Sequence, residues 1–130
     1  VLPPEKVAIL ESVAKSADES VVLARDSGVT IGSGSDVVGP LQGRRGEEIV
    51  LKARLIGAHE AIISATRTNA RIFGLQDDIG TVEKGKVADL ILVDGEPLDD
   101  VALLADPGHV VGVVQGGAVV KDGGGRLTDH

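Results

Sequence analysis

The run Val87-Ala-Asp-Leu-Ile-Leu-Val93 limits most strongly what this chain can fold into. It is short, rich in branched apolar residues, and punctuated at both ends. Gly80 and Gly85 bracket the polar segment before it, and Asp94-Gly95 and Pro97 close it. Runs of this length between glycine and proline read as buried strands, since a helix needs a longer stretch with apolar residues at helical spacing. Upstream the chain reads as helix and downstream as further strand, so residues 79–98 mark a junction.

The first segment opens with Pro3-Pro4-Glu5, which suits a helix start. Val7, Leu10, Val13, Ala14, Ala17, Val21 and Ala24 keep a helical spacing to about residue 25. Residues 16–20 are a possible interruption, and Gly28 a left-handed cap. Val29-Thr30-Ile31 then begins a strand that passes into the small residues Gly32-Ser33-Gly34-Ser35 and ends at Asp36. Residues 37–45 lack periodicity and read as loop. Glu47-Glu48 starts a second helix, Gly57 separates it from a third over 58–73, and Gly74 closes that one.

After the junction, residues 101–104 read as a short helical turn. Residues 110–114 and 118–120 read as a hairpin around Gly116-Gly117, because a Gly-Gly pair supplies the positive φ values of a tight turn. At least four strands are expected in this half, and residues 123–130 form a flexible Gly-rich tail. The predicted class is α/β. One α/β unit followed by strands does not close a parallel sheet, so the pattern points to structure beyond this chain.

Composition narrows the function. The net charge of −7 and the single basic pair Arg44-Arg45 argue against nucleic acid as a partner. With no cysteine there is neither a disulfide nor a thiolate metal site. No apolar run is long enough to span a membrane and no signal peptide is visible, so no membrane partner and a cytoplasmic location are expected. Phe73 is the only aromatic residue, so a core of Val, Leu, Ile and Ala must rely on many small contacts or on a partner surface. The absence of methionine fits either a start Met removed before Val1 or a chain that is one piece of something longer.

Among titratable residues Asp36 stands out. It follows a predicted strand, has small neighbours and precedes an irregular loop, a position in which α/β proteins carry catalytic groups. A carboxylate there could bind a metal or move a proton, or it could cap its own loop. His59, His109 and His130 are not spaced as a metal pair and read as surface residues. Asp89, inside the apolar run, reads as a structural hydrogen-bonding group, and Thr66 and Asn69 as ties from their helix to a neighbouring loop. Asp94, Glu96, Asp99 and Asp100 lack the spacing of a calcium loop and read as turn residues. Ser33 and Ser35 have no nearby base, and Gly32-Ser33-Gly34 is not a nucleophile elbow.

Four stretches together carry a resemblance: residues 28–36, Ser64-Ala-Thr-Arg-Thr-Asn-Ala70, Gly74-Leu75 and residues 79–98, with the hairpin of residues 113–120 in agreement. They resemble the C-terminal part of the metal-dependent amidohydrolase superfamily, nearest its imidazolonepropionase and Xaa-Pro dipeptidase-like branch. The resemblance implies the last α/β unit of a (β/α)8 barrel over 1–78 and most of a small β-sandwich over 79–122, an incomplete barrel. It implies that Asp36 is the catalytic, metal-binding aspartate at the end of the eighth strand, and that the complete enzyme hydrolyses amide or other C–N bonds with a divalent metal, zinc by the family pattern.

The family's His-x-His pair, lysine and further histidines are not in this chain. Ser35 replaces the commoner threonine, and Leu55-Ile56-Gly57-Ala58 replaces Gly-x-Thr-Pro, which should alter the start of the following helix. The chain alone is expected to be inactive, with no metal of its own. The expected partners are the missing N-terminal barrel portion or another copy of the chain, with a small-molecule substrate for the whole. The competing reading is a non-catalytic structural or assembly module derived from the same fold.

Overall fold

The computed structural model describes residues 2–125 and Leu127. The chain divides into two compact units, Val1–Ile31 and Gly32–His130.

The first unit is built on one helix, α1 (Pro4–Asp26), which follows Pro3 and carries Glu5 in its first turn. The interruption anticipated at residues 16–20 does not occur. The Ser20 hydroxyl instead donates to the Ser16 carbonyl at 2.7 Å, so the serine is satisfied within the helix and need not break it. Gly28 closes α1 at φ 71°, with its N–H on the Arg25 carbonyl and the Val29 N–H on that of Ala24. These two bonds form the Schellman arrangement.

The strand expected from Val29 is absent among the described residues, and residues 29–38 run irregularly. A strand exists only through a ladder with a neighbour, and the only ladders described lie between residues 90 and 122. A 3-10 turn (Gly39–Arg44) occupies part of the expected loop. Helix α2 (Glu47–Ile56) ends at Gly57, whose φ of 91° turns the chain directly into α3 (Ala58–Ile63). A π-helical turn (Ser64–Thr68) and α4 (Asn69–Ile72) continue the same run, so the predicted third helix forms with one wide turn inside it. The Thr66 hydroxyl donates to the Ile62 carbonyl at 2.8 Å within that run, and Gly74 closes the run at φ 71°.

Small residues make the core of the second unit, Gly32–His130. Ala61 and Ala70 are its buried apolar residues among those described. A Cβ on Gly80 would lie 2.5 Å from the Ala70 Cβ, so glycine is what lets the 79–81 turn press onto α4.

Among the described residues the sheet has three antiparallel strands in the order β1 (Leu90–Val93), β2 (Val110–Gln115) and β3 (Ala118–Asp122), fewer than the four or more expected. Leu90 pairs with Val114, and Val113 with Lys121. Gly116 and Gly117, at φ 57° and 83°, make the tight turn, as their sequence implied. β1 starts later than predicted and is not buried: Ile91 is 53% exposed. Residues 101–104 form the predicted turn, a 3-10 helix (Val101–Leu104). In the segment read as a tail, Gly123 donates its N–H to the Val111 carbonyl at 2.6 Å, while Arg126 and residues 128–130 lie outside the described residues. Among the described residues, no helix is long and apolar enough to cross a membrane.

Candidate active site around Asp36

Asp36 is the one described non-glycine residue with positive φ, at 49°. Left-handed backbone is disfavoured for residues with a Cβ and is tolerated best by Asn and Asp. Its side chain faces solvent. The Val37 N–H meets the Ser35 hydroxyl oxygen at 3.5 Å, so Ser35 rather than Asp36 caps this bend.

The three residues Gly32, Ser33 and Gly34 are held from two helices. Asn69, first residue of α4, accepts the Ser33 N–H on Oδ1 at 2.9 Å and donates Nδ2–H to the Ser33 carbonyl at 2.8 Å. This is the tie from helix to loop expected of Asn69. The π turn immediately before it adds a residue to the helical register and so sets the direction in which Asn69 projects. Gly32 makes the approach possible, since a Cβ there would stand 2.6 Å from Asn69 Oδ1 and 2.8 Å from Ile72 Cδ1.

Lys52 and Glu48 of α2 supply the other side. Lys52 is a buried lysine at 8% exposure, and its ammonium donates to the Gly32 carbonyl at 2.7 Å and reaches Glu48 Oε1 at 2.8 Å. The Ser33 hydroxyl donates to Glu48 Oε2. Burial by itself would raise the Glu48 carboxyl. Hydrogen bonds from Lys52 and Ser33, the Lys52 charge and the Gly34 N–H outweigh it and hold Glu48 below its ordinary value. The pairing satisfies the buried ammonium, which would otherwise be very costly to bury.

Beside this framework lies a cleft of about 180 Å³, walled by Ser35, Val37 and Leu51. Arg44 and Glu47 also line it, and Arg44 pairs with Glu47 through Nε at 2.6 Å and Nη2 at 2.7 Å. Those hydrogen bonds, together with the Arg44 charge and against the effect of burial, keep Glu47 below the usual carboxylate range.

Other residues singled out in the sequence have partners of their own. The Asp89 carboxylate accepts the Gly116 N–H at 2.6 Å, a structural role, although the side chain is exposed rather than buried. Glu96 and Asp100 accept the backbone N–H groups of Leu98 and Ala102, as turn residues do. His59 lies 3.2 Å from Glu60 and His109 3.1 Å from the Asp94 carbonyl, while His130 lies outside the described residues. Ser33 does have a carboxylate partner, Glu48, which sequence reasoning did not find. The signal was present: Glu48 and Lys52 are one helical turn apart, with the lysine inside the apolar stripe of α2.

The amidohydrolase family matches residues 6–120, nearly the whole chain. The chain belongs to the amidohydrolase family. It is similar to a 5-methylthioadenosine/S-adenosylhomocysteine deaminase of Symbiobacterium thermophilum, 40% identical over 74 residues, covering 50% of this chain and 17% of that protein. Among solved structures it is similar to a prolidase complexed with N-methylphosphonate-L-proline, at 38% identity and a TM-score of 0.82, covering 93% of this chain and 30% of that one. Aspergillus niger ochratoxinase gives 30% identity and a TM-score of 0.79, covering 95% of this chain and 29% of the other. The chain thus spans under a third of the length of the relatives it matches.

Members of this family use divalent metals, and the donor set of this chain can be compared with that need. Among the described residues no three His, Cys, Asp or Glu side chains stand close enough to hold a metal ion. A catalytic zinc takes three protein ligands. Asp36 alone would supply at most one. The described residues therefore do not by themselves make up such a ligand set.

Proposed function

We propose that this chain is the C-terminal portion of a metal-dependent hydrolase of amide or other C–N bonds, in which Asp36 is the reacting carboxylate and a metal ligand. The observation that carries the reading is how Asp36 is presented. It is an exposed carboxylate on left-handed backbone, directly after a segment fixed from two helices, in a chain of the amidohydrolase family. A carboxylate so placed can accept the proton of an attacking water.

In this reading Asp36 is one metal donor, and the others, with the metal, zinc by the family pattern, belong to the rest of the enzyme. The chain alone is then inactive. Deaminase and prolidase are both names of enzymes that hydrolyse C–N bonds, which supports the bond class and leaves the small-molecule substrate open. The partner is the remaining barrel or a second copy of the chain, packed on apolar residues such as Phe73, 73% exposed, and Val82, 84% exposed.

Grafting tests the proposal. Residues 2–125 of this chain replace the matched segment of the prolidase, and hydrolysis of that enzyme's own substrate is followed, with circular dichroism to establish folding. A folded graft that turns over, beside an isolated chain that does not, is the expected result. A folded graft with no turnover favours the non-catalytic module and overturns the proposal.

A further inference from the structure

The number of polar contacts spent on Gly32–Gly34 exceeds what an irregular surface segment needs. An exposed loop can leave its backbone groups to water, with no protein partner. Here the Gly32 carbonyl takes a buried ammonium, both backbone groups of Ser33 take one amide side chain, and the Ser33 hydroxyl takes Glu48. Burying Lys52 is costly, and the cost is met by partners that all lie on this segment or on Glu48. Two residues beyond the clamped stretch stands Asp36, on the one left-handed non-glycine backbone described. Backbone in a sparsely populated region persists where its surroundings determine it.

We propose that Asn69, Lys52 and Glu48 are positioning residues for Asp36, fixing the Gly32–Gly34 backbone and through it the left-handed conformation that presents the carboxylate. Asn69 is the central member, because its single amide binds both the donor and the acceptor of Ser33. Gly32 is the residue that admits it. The inference rests on the proposed role of Asp36 for its catalytic meaning, and its structural part can be read without that role.

The test uses the full chain and then the graft described above. In the full chain, amide hydrogen exchange and backbone NMR shifts are compared for wild type, Asn69→Asp, Asn69→Leu and Lys52→Met. Asn69→Asp keeps the acceptor for the Ser33 N–H and loses the donor to its carbonyl, whereas Asn69→Leu loses both. Ser33 exchange is expected to rise roughly tenfold or more in Asn69→Leu and less in Asn69→Asp, the scale of one lost hydrogen bond. The Asp36 shifts should leave their left-handed values in both.

The Val113 amide in β2 should hold its rate, which separates loosening of the clamp from general unfolding. Val113→Ala, a destabilising change elsewhere, should leave Asp36 unmoved. In the graft, Asn69→Leu should lower kcat roughly tenfold or more with KM little changed, as expected when the ground-state contacts survive. Unchanged Ser33 and Asp36 signals in Asn69→Leu overturn the proposal. A graft whose rate falls with Asp36→Asn but not with Asn69→Leu also overturns it, leaving the role of Asp36 standing. A rate indifferent to Asp36→Asn overturns that role first, and the catalytic meaning of the clamp with it.

Discussion

Replacing Lys52 with methionine removes a charge while keeping most of the side-chain volume. Its ammonium makes two contacts, 2.7 Å to the Gly32 carbonyl and 2.8 Å to Glu48 Oε1, at 8% residue exposure. Hydrogen bonds to charged groups contribute about 1.5–3 kcal/mol each, and an abandoned partner bears its desolvation cost. Two terms reduce the sum. Glu48 keeps 22% of its side chain exposed and can regain water, and the methionine stem still packs. A net loss of about 2 kcal/mol follows. Glu48→Gln should cost less, about 1 kcal/mol, because the amide can still meet Ser33 and Lys52. The double variant should show a coupling near 1 kcal/mol, since the two side chains share one network. Urea unfolding followed by far-ultraviolet circular dichroism measures all three, and with a slope of about 1.5 kcal/mol/M the Lys52→Met midpoint falls by more than about 1 M. A loss under about 0.5 kcal/mol, or zero coupling, refutes the claim that Lys52 is a paired, buried cation holding Gly32.

Three other outcomes are expected. Glu48 has its carboxyl held below the ordinary 4.5, so its contribution is present above that value and is lost as pH falls through the lower folded-state value. Urea midpoints should therefore drop below pH 4.5 more steeply in wild type than in Glu48→Gln. Gly32→Ala forces a Cβ to within 2.6 Å of Asn69 Oδ1 and should cost roughly 1–3 kcal/mol, read from the same unfolding curves; a neutral result contradicts the close approach. The face carrying Phe73, Val82 and Ile91, beside an apolar groove of about 520 Å³, should make the isolated chain self-associate in light scattering, and a clean monomer would count against that.

Local chemistry was legible in the sequence where a short stretch decides it. Gly28 and Gly74 terminate helices and Gly116-Gly117 turns the hairpin because positive φ is a property of the residue itself. Asp36 could be singled out from its small neighbours and the irregular loop after it. Residues 29–36 were misread as strand because pattern records a preference, while a strand needs a neighbour to pair with, and none is described. β1 was misread as buried for a related reason: its composition suits a covered face, and within this chain Leu90, Ile91 and Leu92 stand exposed. The clamp on Gly32–Gly34 was only half visible. Asn69 could be read as a tie, but its partner lies 36 residues away, and the π turn that aims it leaves no signature in residue spacing. The burial of Lys52 hid in an ordinary helical pair with Glu48.

The central claim is that Asp36 carries the chemistry this chain brings to a larger hydrolase. The most direct measurement is the steady-state rate of the prolidase graft with Asp36 and with Asp36→Asn, an isosteric change that removes the proton acceptor. The account predicts a fall in kcat of roughly 10²–10⁴-fold, the scale of general acid–base catalysis, with folding unchanged. An Asp36→Asn graft that retains the full rate would contradict it.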